Sequence, residues 1–439
     1  MGSAMPSNSI ESADSKSLTR TPMKRDFTFV HTADIHLDSP LTGLARKDEG
    51  FSRLVRGATR RAFSNVVDLA IDEGAGFVVI AGDLYDGTWK DQNTGQFAVS
   101  QLSRLSRAGI RTFIVFGNHD AESRISRHLT MPPGVHLLSN KACETVFMEE
   151  FGVAIHGRSY KEVATTEDLA ASYCAPNALA FNIALLHTAL GGNPPHENYA
   201  PCTLDRLRSS GHQYWALGHV HEHAVRSRHP FVVYPGNTQG RHARETGAKG
   251  AVLVRVSEGE VQSVEHRACD EVRFARAEID GVDARDMTEL LAAVGEGLAG
   301  ATRSTDGRPV AVRVIVRARD GVGRGATADR EWFDGEVQAI AAGLSESLWI
   351  EKVTLTAVED GPTTSLLPEL DALLAVAMDD EDCAHAVRAA VAPLLGKLPA
   401  DLRDPDLSPL LWAAREQDDR TLVAAARRLV EARLAGEGG

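Results

Sequence analysis

The stretch FTFVHTADIHLD, residues 27–38, decides the fold. Residues 27–33 (FTFVHTA) are apolar and rich in β-formers over the length of a buried strand, and the run gives way directly to Asp34-Ile35-His36. A buried strand that delivers an acid and an imidazole at its carboxyl end predicts an α/β sheet, because in such sheets the loops leaving those ends converge on the ligand crevice. Outward from it, 52–73 reads as an amphipathic helix: Val55, Ala58, Ala62, Val66 and Ala70 recur at intervals of three and four, and Gly74 and Gly76 stop it. Residues 77–81 (FVVIA) are the next strand, 95–108 the next helix, closed by Gly109, and 111–116 (RTFIVF) the strand after that. Apolar runs at 151–156, 181–186, 214–217, 231–234 and 250–256 continue the pattern, so 26–265 is expected to be one layered α/β domain with helices flanking a central sheet.

Four further polar clusters follow strand runs in the same way. They are Gly82-Asp83 after FVVIA, Gly117-Asn118-His119-Asp120 after TFIVF, His187 after NIALL, and Gly218-His219-Val220-His221 after YWAL. Clusters in equivalent positions are expected to meet at one place. Asp, His and Asn are oxygen and nitrogen ligands suited to six-coordinate divalent metals, and the absence of Cys from every cluster argues against a closed structural zinc site. In D-I-H and H-V-H, residues two apart on extended backbone point to one side, so both can face a metal pocket. The glycines before Asp83, Asn118 and His219 permit a sharp turn directly after the strand. Together these features point to a two-metal site.

Composition sets outer limits. Of 439 residues 43% are apolar, which excludes a disordered chain, and 47 basic against 60 acidic residues give a net charge of −13, which excludes a globally basic nucleic-acid wrapper. Cys143, Cys174, Cys202, Cys269 and Cys383 lack the close pairing of a zinc ribbon or C-x-x-C site and read as reduced thiols of a cytoplasmic protein. No run approaches the length of a membrane span. Residues 1–25 carry no hydrophobic core segment and read as a disordered tail, not a secretory signal.

Past the first domain the pattern changes. Strands at 272–279, 308–318 and 348–357 and helices at 284–298 and 330–344, with a Gly-rich loop at 319–327, predict a small α+β module over 270–360. Residues 366–439 are helical by composition, with 8 basic and 14 acidic residues, a region better suited to docking a partner than to gripping DNA by charge.

The ordered set D-x-H, GD, GNHD, H and GHxH resembles the calcineurin-like metallophosphoesterase family. Within it, HTADIHLDSPL (31–41), AGDLYD (81–86), FGNHD (116–120), NYAPCTLDRL (198–207), YWALGHVH (214–221) and YPGNTQGRHARETGAKG (234–250) are most similar to SbcD-type DNA repair nucleases, above all the bacterial YhaO-like exonuclease branch. The resemblance implies a metallophosphoesterase sandwich, with 270–360 as a capping domain resembling the family's in layout only. It implies that Asp34, His36 and His221 hold one metal, Asn118, His187 and His219 the other, and that Asp83 bridges both. Two divalent cations so held, most often manganese in this family, activate water and clamp a phosphoryl group. It further implies that His119 is the general acid and not a ligand, with Asp120 orienting its ring. Asp38 and Asp86 are either acceptors behind the ligands or ordinary loop carboxylates. His31 is expected to be a packed core residue, and His212, His223, His229 and His242 to be non-ligands.

The expected activity is metal-dependent hydrolysis of DNA phosphodiester bonds, as an exonuclease or endonuclease of DNA repair. Arg241, Arg244 and Lys249 crowd the loop after YPGN and are expected to contact DNA, whereas Arg53, Arg56 and Arg60 read as a solvated helix face. The resemblance also implies an SMC-like ATPase partner, docked on 366–439, and a homodimer. Two other readings share these residues: a general small-molecule or protein phosphoesterase, and a non-catalytic DNA-end-binding scaffold of an ATPase complex.

Overall fold

The computed structural model describes residues 26–39, 49–55, 57–87, 92–122, 129–163, 165–191, 200–303 and 305–358, with scattered positions between 376 and 426. The expectations for 1–25 and for most of 366–439 therefore lie outside the described residues, as do Arg56 and the side chain of Arg53.

Among the described residues the larger unit runs β1 (Phe27–Thr32), α1 (Glu49–Val55), α2 (Ala58–Asp72), β2 (Phe77–Ala81), α3 (Gln92–Arg107), β3 (Arg111–Val115), α4 (Asn118–Glu122), β4 (Val135–Leu137), β5 (Glu144–Met148), β6 (Val153–Gly157), β7 (Phe181–His187), α5 (Leu204–Ser209), β8 (Tyr214–Gly218), β9 (Ala224–Arg228), β10 (Phe231–Tyr234), β11 (Gly250–Ser257) and β12 (Glu260–Ala268). The strands make two six-stranded sheets, ordered β12-β11-β1-β2-β3-β4 and β5-β6-β7-β8-β10-β9. The runs β1-β2-β3-β4 and β6-β7-β8-β10 are parallel. Strands β11 and β12 extend the first run antiparallel, and β5 and β9 flank the second in the same sense. The two sheets face each other across Phe29, Phe77, Phe113, Ile183, Leu185 and Tyr214, with Phe29 stacked on Phe77 at 5.1 Å and edge-on to Tyr214 at 5.2 Å. Helices α2 and α3 cover the outer face of the first sheet through Phe63, Val66, Val67, Leu102 and Leu105. Because both faces of β2 are covered, FVVIA is apolar without alternation, as interior parallel strands are.

This is the layered metallophosphoesterase sandwich expected, with differences in detail. The single helix expected over 52–73 is two, parted at Gly57, whose φ of 82° no other residue type adopts without strain. The sheet runs on to Ala268, since β12 pairs along the whole of β11. Strands β4, β5, β9 and β12 are half-exposed, short of apolar residues or interrupted by polar ones, so apolar runs did not reveal them. His31 is a core residue, its ring bonded to the Tyr214 hydroxyl at 3.0 Å and the Leu217 carbonyl at 3.1 Å, and burial lowers its pKa to about 3. Cys143 and Cys174, read as reduced thiols, form a disulfide: the loop before β5 and the segment before β7 bring together residues 31 apart in the chain. Spacing along the chain does not report that proximity.

The smaller module runs β13 (Arg273–Gly281), α6 (Met287–Arg303), β14 (Val310–Arg319), α7 (Asp320–Ala328), α8 (Arg330–Leu344) and β15 (Leu348–Val358). Its parallel strands, ordered β13-β14-β15, bury Val312, Val314 and Val316 under α6 and α8. The Gly-rich stretch read as a loop is α7, helical despite its glycines because Ala326 and Val322 pack into that core. The opposite side of the module meets α1, where Phe51 lies 4.8 Å from Trp349 beside Val55, Val272 and Phe274. Among the described residues no helix is long and apolar enough to cross a membrane.

Candidate metal centre

The loops leaving β1, β2 and β3 in one sheet and β7 and β8 in the other open at the same end of the sandwich. Backbone bonds lock them together: Asp34 N–H donates to Gly82 O at 3.0 Å, His36 N–H to Asp83 O at 3.0 Å, and Thr188 N–H to Gly218 O at 3.1 Å. Across the sheets, His219 N–H donates to the Asp34 carboxylate at 2.9 Å, and the His187 Nδ1–H donates to Ala81 O at 2.9 Å. Six of the seven expected ligands thus converge, and the ring of the seventh, His219, lies 5.3 Å from that of His187. Asp34, His36, Asp83, Asn118 and His187 are buried, and the ligating atoms of Asp34, His36 and His221, and of Asp34, Asp83 and His187, lie within 4.8 Å of one another.

The hydrogen-bond partners fix which nitrogens face inward. His221 Nδ1 lies 2.7 Å from Glu245 Oε1, so in that ring the proton belongs on Nδ1, whereas His36 Nδ1, 3.4 Å from Asp86 Oδ1, makes no hydrogen bond. The His221 Nε2 lone pair then faces His36 Nε2 at 3.2 Å. Likewise His187, committed through Nδ1 to a carbonyl, turns Nε2 toward Asn118 Oδ1 at 3.1 Å and Asp83 Oδ2 at 3.3 Å. Acceptor atoms gathered at such distances repel unless a proton or a cation sits among them, and a donor set of imidazole, carboxylate and amide oxygen suits divalent cations. The residues fit a metal pair.

At one pair a proton can supply the positive charge, on His187 Nε2 beside the Asp83 carboxylate. Burial opposes charge on both members of the pair, but the Asp83 carboxylate raises His187 to about 9, and His187 in turn holds the Asp83 carboxyl well below its ordinary range. Burial raises Asp34, and burial with the nearby Arg241 lowers His36 to about 3. The backbone is strained as well: φ is 50° at Asp34, 45° at His36, 53° at Asp83 and 102° at His219. Non-glycine residues in that region cost about 1–3 kcal/mol each and persist where the surroundings impose them. The convergence of Asp34 with His36 therefore comes from left-handed turns and not from the extended pleat expected of D-I-H.

His119 begins beside the ligands. Its N–H donates to Asp83 Oδ1 at 3.0 Å, its ring is edge-on to His36 at 4.8 Å, and Gly87 N–H donates to its Nδ1 at 3.3 Å, which leaves Nε2 to carry the proton. Its atoms also fall within ligand range of His36 and Asp83. Asp120, expected to orient that ring, instead accepts from the backbone N–H groups of Tyr85 (2.9 Å), Gly117 (3.1 Å) and Leu84 (3.2 Å), and so splices the loops after β2 and β3. Burial and the charge of Asp83 raise its pKa to about 7. The carboxylate near the His119 ring is that of Asp86, 3.5 Å from Nδ1. Asp38 is tied away from the centre, to Arg60 on α2 at 2.7 Å.

The basic loop divides. Arg241 stands at the site, 3.6 Å from Asp86, and Arg244 is exposed. Lys249, expected to contact DNA, is buried, with Nζ donating to His221 O at 2.9 Å; an ammonium turned inward to a carbonyl is not offered to a phosphate outside. Glu245 was not singled out from the sequence. It lies 24 residues beyond His221, and nothing local marks one acid among the arginines around it.

Residues 27–223 match the family model of the calcineurin-like phosphoesterases, and residues 274–357 match that of the middle domain of the metallophosphoesterase YhaO. The chain is 37% identical over 299 residues to an uncharacterized metallophosphoesterase YhaO of Bacillus subtilis, covering 67% of this chain and 72% of that protein. It is 29% identical over 206 residues to the DNA double-strand break repair protein Mre11 of Methanopyrus kandleri, covering 44% of each. With the SbcD component of the nuclease SbcCD of B. subtilis the identity is 32% over 123 residues, covering 27% of this chain and 29% of that protein. The chain thus spans less than half the length of the latter two relatives.

Proposed function

The chain belongs to the calcineurin-like metallophosphoesterase family, and from that premise we propose that it is a manganese-dependent phosphodiesterase that cuts DNA, as an exonuclease or endonuclease of DNA repair. The observation that carries the reading is the gathering of Asp34, His36, Asn118, His187 and His221 around Asp83, with the rings of His219 and His119 next to them. In this reading Asp34, His36 and His221 hold one cation, Asn118, His187 and His219 the second, and Asp83 touches both. Such a pair supplies Lewis-acid charge to a phosphoryl group and lowers the pKa of water. The chain's own contribution is to orient these groups and to hold a proton on His119 Nε2 for the leaving oxygen. Arg241 and Arg244 steady the phosphates.

DNA as substrate is supported by the relatives named for double-strand break repair and for nuclease activity, and by the smaller module that accompanies the sandwich. By the same likeness we assign an SMC-like ATPase partner, a homodimer and a cytoplasmic place of action. A general phosphoesterase is the second reading, favoured by the net charge of −13 and by the loss of Lys249 as a phosphate contact. Digestion of linear duplex DNA, measured beside hydrolysis of bis-p-nitrophenyl phosphate with and without Mn2+, separates them. The nuclease reading expects metal-dependent activity on both, and activity on the small ester alone refutes it. Activity on neither favours the DNA-end-binding scaffold.

A further inference from the structure

We infer that Glu245, outside the ligand set, is the positioning residue for His221, and that it belongs to a polar latch tying that ring to the first strand of the smaller module. The inference rests on the two-metal reading, in which His221 is a ligand.

Glu245 is buried, so its carboxylate needs full partnering. Oε1 lies 2.7 Å from His221 Nδ1, while Oε2 accepts from Arg241 N–H at 2.7 Å and Asn237 Nδ2 at 2.8 Å. A carboxylate on Nδ1–H fixes the tautomer, aims Nε2 inward and raises its basicity toward a cation. His221 needs such support because it lies three residues beyond the end of β8, where no strand pairing orients it. Four residues past Glu245, the ammonium of Lys249 holds the carbonyl of the same histidine at 2.9 Å. One loop therefore grips His221 by its ring and by its backbone.

The loop continues into the smaller module through bonds of the same kind. Asn237 Nδ2 donates to Gln239 O at 2.8 Å. Gln239 Oε1 accepts from Glu271 N–H at 2.8 Å and Val272 N–H at 3.2 Å, and its Nε2 donates to Val272 O at 2.7 Å. Gly247 N–H reaches Phe274 O, in β13, at 3.1 Å. Phe274 in turn is packed with Ala243 of the loop and Phe51 of α1. A shift of β13 thus pulls on Glu245, and the cation held by His221 is the one that senses it. The cation held by Asn118, His187 and His219 is anchored instead by loops of the sandwich itself.

Calorimetric titration of Mn2+ into the metal-stripped full chain, with electron paramagnetic resonance of the bound ions, tests this. The wild type is expected to bind two ions with a coupled-pair spectrum. Glu245→Ala should weaken one site about 10–100-fold, leave the other unchanged and give a single-ion spectrum. Glu245→Gln should recover part of the loss, since its amide oxygen still accepts from Nδ1–H, and it carries the comparison alone if the alanine variant does not fold. Gln239→Ala should weaken the same site by a smaller factor. Two wild-type affinities in Glu245→Ala, or equal loss of both sites, overturn the positioning role. An unchanged site in Gln239→Ala overturns the link to the smaller module. A wild type that binds no manganese refutes the metal reading itself, which is a different result.

Discussion

His119 and Asp120 are neighbours in the chain and do different work. The His119 ring is partly exposed beside the buried donors, as the proposed general acid has to be to meet a substrate, whereas Asp120 is buried among backbone N–H groups. His119→Ala is expected to leave manganese content near that of the wild type and to lower turnover by about 10²–10⁴-fold, the range of general acid catalysis. Elemental analysis beside kinetics checks it, and equal loss of metal would make His119 a ligand. Asp120→Ala is expected to destabilise the fold by about 1–3 kcal/mol, the cost of orphaning buried donors, while metal-saturated turnover changes little. Urea melts check the first part; unchanged stability with lost turnover would restore the ring-orienting role. The residue types of the site were legible because five strand runs each end in a donor. The partners of those donors were not. That Asp86 faces two histidines depends on neighbouring loops of the first sheet meeting, and that Glu245 faces a third depends on the loop before β11 meeting the one after β8, which adjacency in the chain does not encode.

The elements explain why the donors sit at such close range. β2 is followed by Gly82, with φ of 98°, where a Cβ would stand 2.3 Å from His187 Nδ1; at Gly117, after β3, it would stand 2.3 Å from Asp83 Oδ1. From the sequence these glycines read as turn formers alone, yet their missing side chains are also the space into which neighbouring ligands reach. Gly82→Ala is therefore expected to lower the melting temperature and to weaken manganese binding together, since the methyl group and the His187 ring cannot both fit. A variant with wild-type melting and wild-type affinity would contradict this. Strands such as 77–81 were legible because both faces are covered, and β4, β5, β9 and β12 were not, because an edge strand half in water has no continuous apolar run. The α7 glycines misled for the converse reason: packing on the module's core outweighs poor local propensity.

At the scale of the whole molecule, the sandwich and the smaller module meet at the seam of Phe51, Phe274 and Trp349, and in the C-terminal region Ala413, Leu422 and Val423 are buried as well. If 366–439 is the docking region for the proposed ATPase partner, its removal is expected to spare hydrolysis of bis-p-nitrophenyl phosphate and to weaken binding of that partner; loss of small-ester hydrolysis would make the region part of the core. The layered architecture was legible from the order of apolar runs. The Cys143–Cys174 disulfide was not, since it joins segments that only the second sheet brings together. The central claim is that loops from two sheets hold a pair of cations about Asp83. Anomalous scattering from crystals soaked in Mn2+ tests it most directly. Two peaks about 3.5–4 Å apart, one on each side of the Asp83 carboxylate, are the result predicted; no peak there, or a single ion that Asp83 does not touch, would contradict it.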